Sequence, residues 1–369
     1  MKTFCKQAVL TALLSVLFLV STSVAQDFSL RGRLHMDALV GVSDADDFSN
    51  GFNNRRARLG ANGKLTNKWD GRIEIDFADN ILDAKDFRLR RAFDHGGRLW
   101  LGQYKVPQGL NELTSSNEIT FIERASANNI IPPSRRIGIG YEYFRGDLGF
   151  KTMLFGRELG QRGDIEGDMP LGLAFRGVFS PEIAGGVLHI AASVAYEDLM
   201  DNNTVRFRDR PEARDSKGGS VRLIDTGNIT EVESTLKLGG ELAFIRGPLS
   251  LEAEYLMATV NRENGDEPTF SGGHVQVSYV LGGARRYSSG DVRGVRPADE
   301  TGAWELAARF SHMNLNDAGF TGGEQNNITL GVNRYVTRNL RFMSNIVIIN
   351  VDKIDETPVV LNLRAQYHF

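Results

Sequence analysis

The densest chemistry in the chain is the run Arg206-Phe207-Arg208-Asp209-Arg210-Pro211-Glu212-Ala213-Arg214. In an extended segment a period of two places Arg206, Arg208 and Arg210 on one side, about 7 Å apart, with Arg214 two steps further. Phe207 and Asp209 then face away. Guanidinium groups at that spacing can hand an oxyanion from one to the next, because each offers planar, bidentate donors. The alternative is a solvated loop in which Asp209, Glu212 and Asp215 neutralise the row.

A second cationic set emerges from strict alternation. The predicted strand 28–42 puts Leu30, Leu34, Met36, Ala38, Val40 and Val42 on one face and Arg31, Arg33, His35 and Asp37 on the other. Predicted strand 52–65 sends Ala57, Leu59 and Ala61 one way and Arg56 and Arg58 the other. Strand 69–78 opposes Ile73, Ile75 and Phe77 to Arg72, Glu74 and Asp76; strand 84–93 opposes Phe87, Leu89 and Phe93 to Asp86, Arg88 and Arg90. Four adjacent strands thus share a polar face richer in arginine than in carboxylate. One arginine about 4 Å from a unit charge is worth roughly 4 kcal/mol at an effective dielectric of 20. Several such groups in a wet constriction would exclude cations and concentrate anions, and shallow sites in series would still let them leave.

The elements that must position these residues are membrane strands. The chain closes on Val359, Leu361, Leu363, Ala365, Tyr367 and Phe369, alternating with Asn362, Arg364, Gln366 and His368. An apolar face ending on aromatics at the C-terminus is the expected form of a barrel's closing strand. Further strands are expected near 97–104, around a hairpin at Arg145-Gly146-Asp147, at 169–180, 187–197, 232–245, 249–260, 272–281 and 303–314, and on either side of Thr337-Arg338-Asn339. Together they predict an all-β, transmembrane antiparallel barrel of about sixteen strands, each long enough to cross a bilayer when tilted. Long connections are expected at 105–134 and 198–231, and a lumen this wide stays open unless such segments narrow it. The connection 282–302, with Arg285, Arg286, Arg293 and Arg296, lies at the opposite end. Either the register slips there or the segment folds back into the lumen.

Residues 1–25 read as an export signal, with Lys2 and Lys6, an apolar core from Ala8 to Val20, and Ser23-Val24-Ala25 before the cut. Its loss removes two lysines and no acids, which takes the formal net charge from −3 to −5. The only cysteine, Cys5, leaves with it, so a mature barrel over 26–369 has no disulfide and no cysteine metal site. Hydrolytic chemistry finds no matched serine–histidine motif, and Asp44-Ala45-Asp46-Asp47 fits no defined calcium loop. No cofactor, metal or nucleic acid is expected.

With these residues in view the chain resembles the phosphate-selective porin family (porins O and P). The resemblance rests on Arg55-Arg56-Ala57-Arg58-Leu59-Gly60, Trp69-Asp70, Glu74-Ile75-Asp76-Phe77, Gly102-Gln103-Tyr104-Lys105-Val106-Pro107, Glu112-Leu113-Thr114-Ser115-Ser116-Asn117, Phe121-Ile122-Glu123-Arg124, Arg135-Arg136-Ile137-Gly138, the Arg206 to Arg214 run, Ala303-Trp304-Glu305-Leu306 and Phe369. It implies an outer-membrane homotrimer, one pore per barrel, with the loop after the fifth strand folded inside as the constriction. It also implies that Arg124, Arg56 and Arg58 form a central anion site and that Arg206, Arg208, Arg210 and Arg214 form a ladder into it. Asp86 would be the wall acid that keeps anions from sticking. The family's lysine cluster at the mouth is represented only by Lys105 and Lys217, and Glu112, Glu118 and Glu123 enter the inserted loop. The readings that follow are a passive channel for phosphate or polyphosphate, a weakly selective general porin, or a plugged barrel serving as adhesin or enzyme.

Overall fold

The computed structural model describes residues 27–160, 169–200, 203–215 and 221–369. The export signal and Lys217 lie outside the described residues. Among the described residues sixteen strands form one closed sheet, to which the two-residue strand Glu182–Ile183 also pairs. They are β1 (Asp27–Ser43), β2 (Gly51–Lys64), β3 (Trp69–Asp76), β4 (Asp83–Ala92), β5 (Arg98–Lys105), β6 (Arg135–Arg145), β7 (Leu148–Phe155) and β8 (Leu171–Phe179). The series continues with β9 (Gly186–Asp198), β10 (Val232–Arg246), β11 (Leu249–Arg262), β12 (Thr269–Leu281), β13 (Ala303–Asp317), β14 (Phe320–Tyr335), β15 (Leu340–Val351) and β16 (Val359–His368). Each pairs antiparallel with the next, and β1 closes on β16 from Arg33 opposite His368 to Ser43 opposite Val359. Closure removes both sheet edges and satisfies the backbone where lipid offers no partner.

Alternation sorts the side chains as expected. On β1, Leu30, Leu34, Met36, Val40 and Val42 are exposed outward, whereas Arg33, His35 and Asp37 are buried inside. On β16, Leu363, Tyr367 and the terminal Phe369 face out, while Arg364 and Gln366 are buried. The apolar exterior is therefore lipid surface, and the polar groups of the interior meet one another.

The segment between β5 and β6 enters the lumen with two short helices, α1 (Leu110–Leu113) and α2 (Ser126–Ile130). Gly109, at φ 80°, turns the chain into α1. The freed amides of Leu110 and Asn111 then donate to Glu254 on β11 at 2.7 and 2.8 Å. Five wall side chains and Arg285, from the segment 282–302, donate to six carbonyls between 117 and 123. Gln366 binds that of Asn117, Arg285 that of Glu118, Arg341 that of Ile119, Asn333 that of Thr120, Arg364 that of Ile122 and Arg309 that of Glu123. A loop without regular ladders thereby has its backbone acceptors satisfied inside the barrel.

The two readings of 282–302 resolve in favour of the lumen. Gly283–Ser288 and Asp291–Pro297 form a hairpin. Val292 packs with Leu110, Ala243 and Ile245, and Asp291 takes Lys151 of β7 at 2.9 Å. The segment between β9 and β10 also reaches inward. Its Phe207, Ala213, Ile224 and Ile229 join a buried cluster with Leu39, Leu256 and Val347 of the wall.

Candidate anion-binding lumen

A cavity of about 390 Å³ lies between the inserted loop and the wall of β1 to β7. Eleven cationic side chains line it against four carboxylates. Alternation brings Arg31, Arg33, Arg56, Arg58, Arg72 and Arg88 to this wall; Arg124 enters from the loop. Arg90 also points inward, but pairs with Asp70 and is absent from the lining.

Most of these guanidinium groups have counter-ions. Glu74 holds Arg31, Arg33 and Arg58 at 3.3, 3.1 and 3.1 Å, and Arg58 also takes Asp76 at 2.7 Å. Asp86 binds Arg135 at 2.9 Å and Arg72 at 3.5 Å. Arg88 stacks 4.3 Å above the Trp100 ring, 3.8 Å from Asp70. Arg56 differs. It is 4% exposed, its Nη1 lies 3.4 Å from His35 Nδ1, and its Nε has no partner. Among the described residues it makes no ion pair. A buried charge without a counter-ion is expensive.

Arg124 has another occupation. Its Nε donates to the Asn111 carbonyl at 2.8 Å, and Nη2 donates to those of Thr114 and Glu112 at 2.7 and 3.3 Å. The Glu112 carboxylate lies 3.2 Å from Nε and 3.4 Å from Lys105 Nζ. Burial alone would raise the Glu112 carboxyl; Lys105, Arg124 and Arg135 outweigh it and hold the group below the ordinary carboxylate range. Arg124 thus fastens the loop to itself as well as lining the cavity, and Lys105 is paired.

The row after β9 keeps its alternation. Arg206 and Arg208 are exposed, Arg210 and Arg214 half-buried, and Phe207 and Asp209 buried. Two of the acids expected to neutralise the row, Asp209 and Glu212, turn elsewhere. Asp209 accepts from Asn129 at 3.1 Å, and burial pushes its carboxyl up to about 7. Glu212, at φ 57°, aims its carboxylate at Arg309, at Ser311 and at the Ser126 amide. That left-handed backbone is strained for a residue with a Cβ, and three buried hydrogen bonds hold it. Arg206 instead pairs with Asp225, in the neighbouring short strand Ile224–Asp225. Arg214 ends the row 3.9 Å from Glu123.

Sequence reasoning missed Arg55. A bulge on β2 opposite His35 and Met36 breaks the period of two and turns Arg55 inward beside Arg56. Arg55 donates to Glu123 through Nε at 2.6 Å and Nη2 at 3.0 Å. The adjacent arginine pair was the only hint of it. Of the loop anchors, Arg364 was visible as a polar-face residue of the closing strand and Arg285 as part of the connection 282–302; Arg309 and Arg341 were not singled out, and the partners of all four, about 170 to 240 residues away in sequence, were not visible.

A closed sixteen-stranded barrel with an apolar exterior, an inserted loop and a charged lumen defines an outer-membrane porin. The family model described as "Phosphate-selective porin O and P" matches residues 28–369, and the chain belongs to that family. Porin O of Pseudomonas aeruginosa is 27% identical, with 89% of this chain and 84% of that one covered. An uncharacterized protein of Caulobacter vibrioides is 30% identical over 82% of this chain, which spans 64% of that relative's length. Among solved structures, an anion-selective porin from Comamonas acidovorans superposes with a TM-score of 0.59 at 11% identity, covering 93% of this chain and 99% of that one. OmpF of Salmonella typhi, in complex with daunomycin, gives 0.60 at 12%, with 93% and 97% covered.

Proposed function

We propose that the protein is a passive, water-filled channel of the outer membrane that prefers anions, with phosphate or polyphosphate as its substrates and no enzymatic activity. The observation that carries this reading is the buried Arg56, without an ion pair among the described residues, in a cavity of the lumen lined by eleven cations and four carboxylates. Arg58, Arg33 and Arg31, already shared with Glu74, shape the field around it; Asp86 weakens the field on the side of Arg72 and Arg135. Arg206, Arg208, Arg210 and Arg214 lead inward, and the family description supplies the substrate class. Inorganic phosphate titrated against a chloride current in planar bilayers tests the reading. Block that Arg56→Ala weakens about tenfold, a change of roughly 1.4 kcal/mol, supports it; a wild-type current indifferent to phosphate contradicts it. Glu112, set between Arg124 and Lys105, favours a second reading, a more weakly selective porin. There the same titration gives millimolar rather than micromolar block.

Residues 1–25 act in this account as the export signal, and the working form is a homotrimer. Strands β3, β5 and β7 have eight residues each, against fifteen or sixteen in β10, β13 and β14. A lone membrane strand needs about nine to eleven, so the low side of the wall is suited to being covered by neighbouring copies. One similar barrel, OmpT of Vibrio cholerae, was solved in a trimer form.

A further inference from the structure

The outer rim of the constriction holds a carboxylate that the reading above leaves without a role. Glu123, 6% exposed, is approached from three directions. Arg55 of the wall binds it bidentately, Arg364 of β16 lies 3.3 Å away, and Arg214 from the loop after β9 lies 3.9 Å away. These contacts are unequal. Arg364 has its own counter-ion, Asp37, at 2.6 Å through both Nε and Nη2. Arg55 and Arg214 form no other ion pair among the described residues, so two guanidinium groups share one carboxylate. Arg55 is hydrogen-bonded; Arg214 lies beyond hydrogen-bond distance, with its side chain 25% exposed. Burial and the Arg55 charge lower the Arg214 guanidinium to about 9, while burial of Glu123 is outweighed by its arginines, which hold it well below the carboxylate range.

We propose that Glu123 is a resident oxyanion that sets how tightly the channel holds its passengers. In the empty pore it occupies the position that a permeating oxyanion would take on Arg214. An anion descending the row displaces it from that loosely held guanidinium, while Arg55 keeps Glu123 in place to reclaim Arg214 afterwards. A carboxylate that competes at the last rung lowers dwell time without removing the attraction of the row, which throughput requires. Glu123 is thus a positioning residue with a selectivity role, and the inference rests on the anion-channel reading.

The test uses the full-length protein in planar bilayers with inorganic phosphate as the probe. Glu123→Gln keeps the shape and an acceptor for Arg55 but loses the competing charge, and the half-blocking phosphate concentration should fall about tenfold. Arg214→Gln should raise it severalfold and abolish the gain in the double variant. A structural role alone would move stability and leave the ratio between single and double variants flat. If Glu123→Gln fails to assemble, Glu123→Asp, which keeps the charge but draws it back from Arg214, takes its place, and block should again tighten only while Arg214 is present. An anion-selective wild type whose block is unchanged by Arg214→Gln, or tightened equally with and without Arg214, overturns the inference and spares the channel reading. A wild type without anion preference overturns the channel reading itself.

Discussion

Replacing Arg124 with alanine removes three donor contacts to the carbonyls of Asn111, Glu112 and Thr114. Hydrogen bonds from a charged donor are worth about 1.5–3 kcal/mol each, so Arg124→Ala should loosen the constriction loop. The signs are a lower temperature for the heat-modifiable gel shift and a larger, noisier conductance. Arg56→Ala should do the reverse. It deletes a buried charge with no counter-ion among the described residues, so stability should hold or rise while anion preference falls, and the same two assays separate the variants. Asp209 supplies a pH dependence. Its folded pKa, about 7, is above the ordinary value near 3.8. The docking of its loop is therefore fully stabilised below about pH 4 and weakens as pH rises through 7. Ionisation also adds a negative charge beside Arg210 and Arg214. Reversal potentials in a salt gradient should shift away from the anion limit between pH 5 and pH 9, and Asp209→Asn should remove the shift.

Strands were the most legible elements, because a residue's face is decided two positions away. Expected strand 28–42 is Asp27–Ser43, and the largest displacement among the starts given is 272 against Thr269. The bulge at Arg55 was not legible, since it arises from a register shift against β1 that a single strand's pattern does not encode. The hairpin Gly283–Ser288 and Asp291–Pro297 alternates like any strand pair; only its docking on Val292, Asp291 and Arg285 reveals its place in the lumen. Deleting it should widen the lumen and raise single-channel conductance while the barrel still assembles, because β12 and β13 hydrogen-bond to each other without it. The loop anchors carry a larger penalty. Arg364→Ala leaves Asp37 and Glu123 with less compensation in the wall and should cost about 3–5 kcal/mol, read as lost resistance to urea unfolding in detergent.

At the scale of the whole molecule the exterior and interior obey opposite rules. Leu330, 50% exposed in the middle of β14, faces lipid, and Leu330→Arg should destabilise the folded barrel by about 2–4 kcal/mol. A lumen substitution such as Arg58→Gln on β2 should instead change ion preference and leave insertion intact. The barrel, its closing strand and its arginine wall could be read from alternation and charge. The sharing of counter-ions, which separates Arg56 from its neighbours, could not, because it depends on which side chains meet across the lumen. That sharing makes the central claim an electrical one. The most direct test is the zero-current potential of the wild-type protein in a planar bilayer under a tenfold KCl gradient at pH 7. A potential close to the chloride limit is the predicted result; a potential near zero or on the potassium side would contradict an anion-preferring pore.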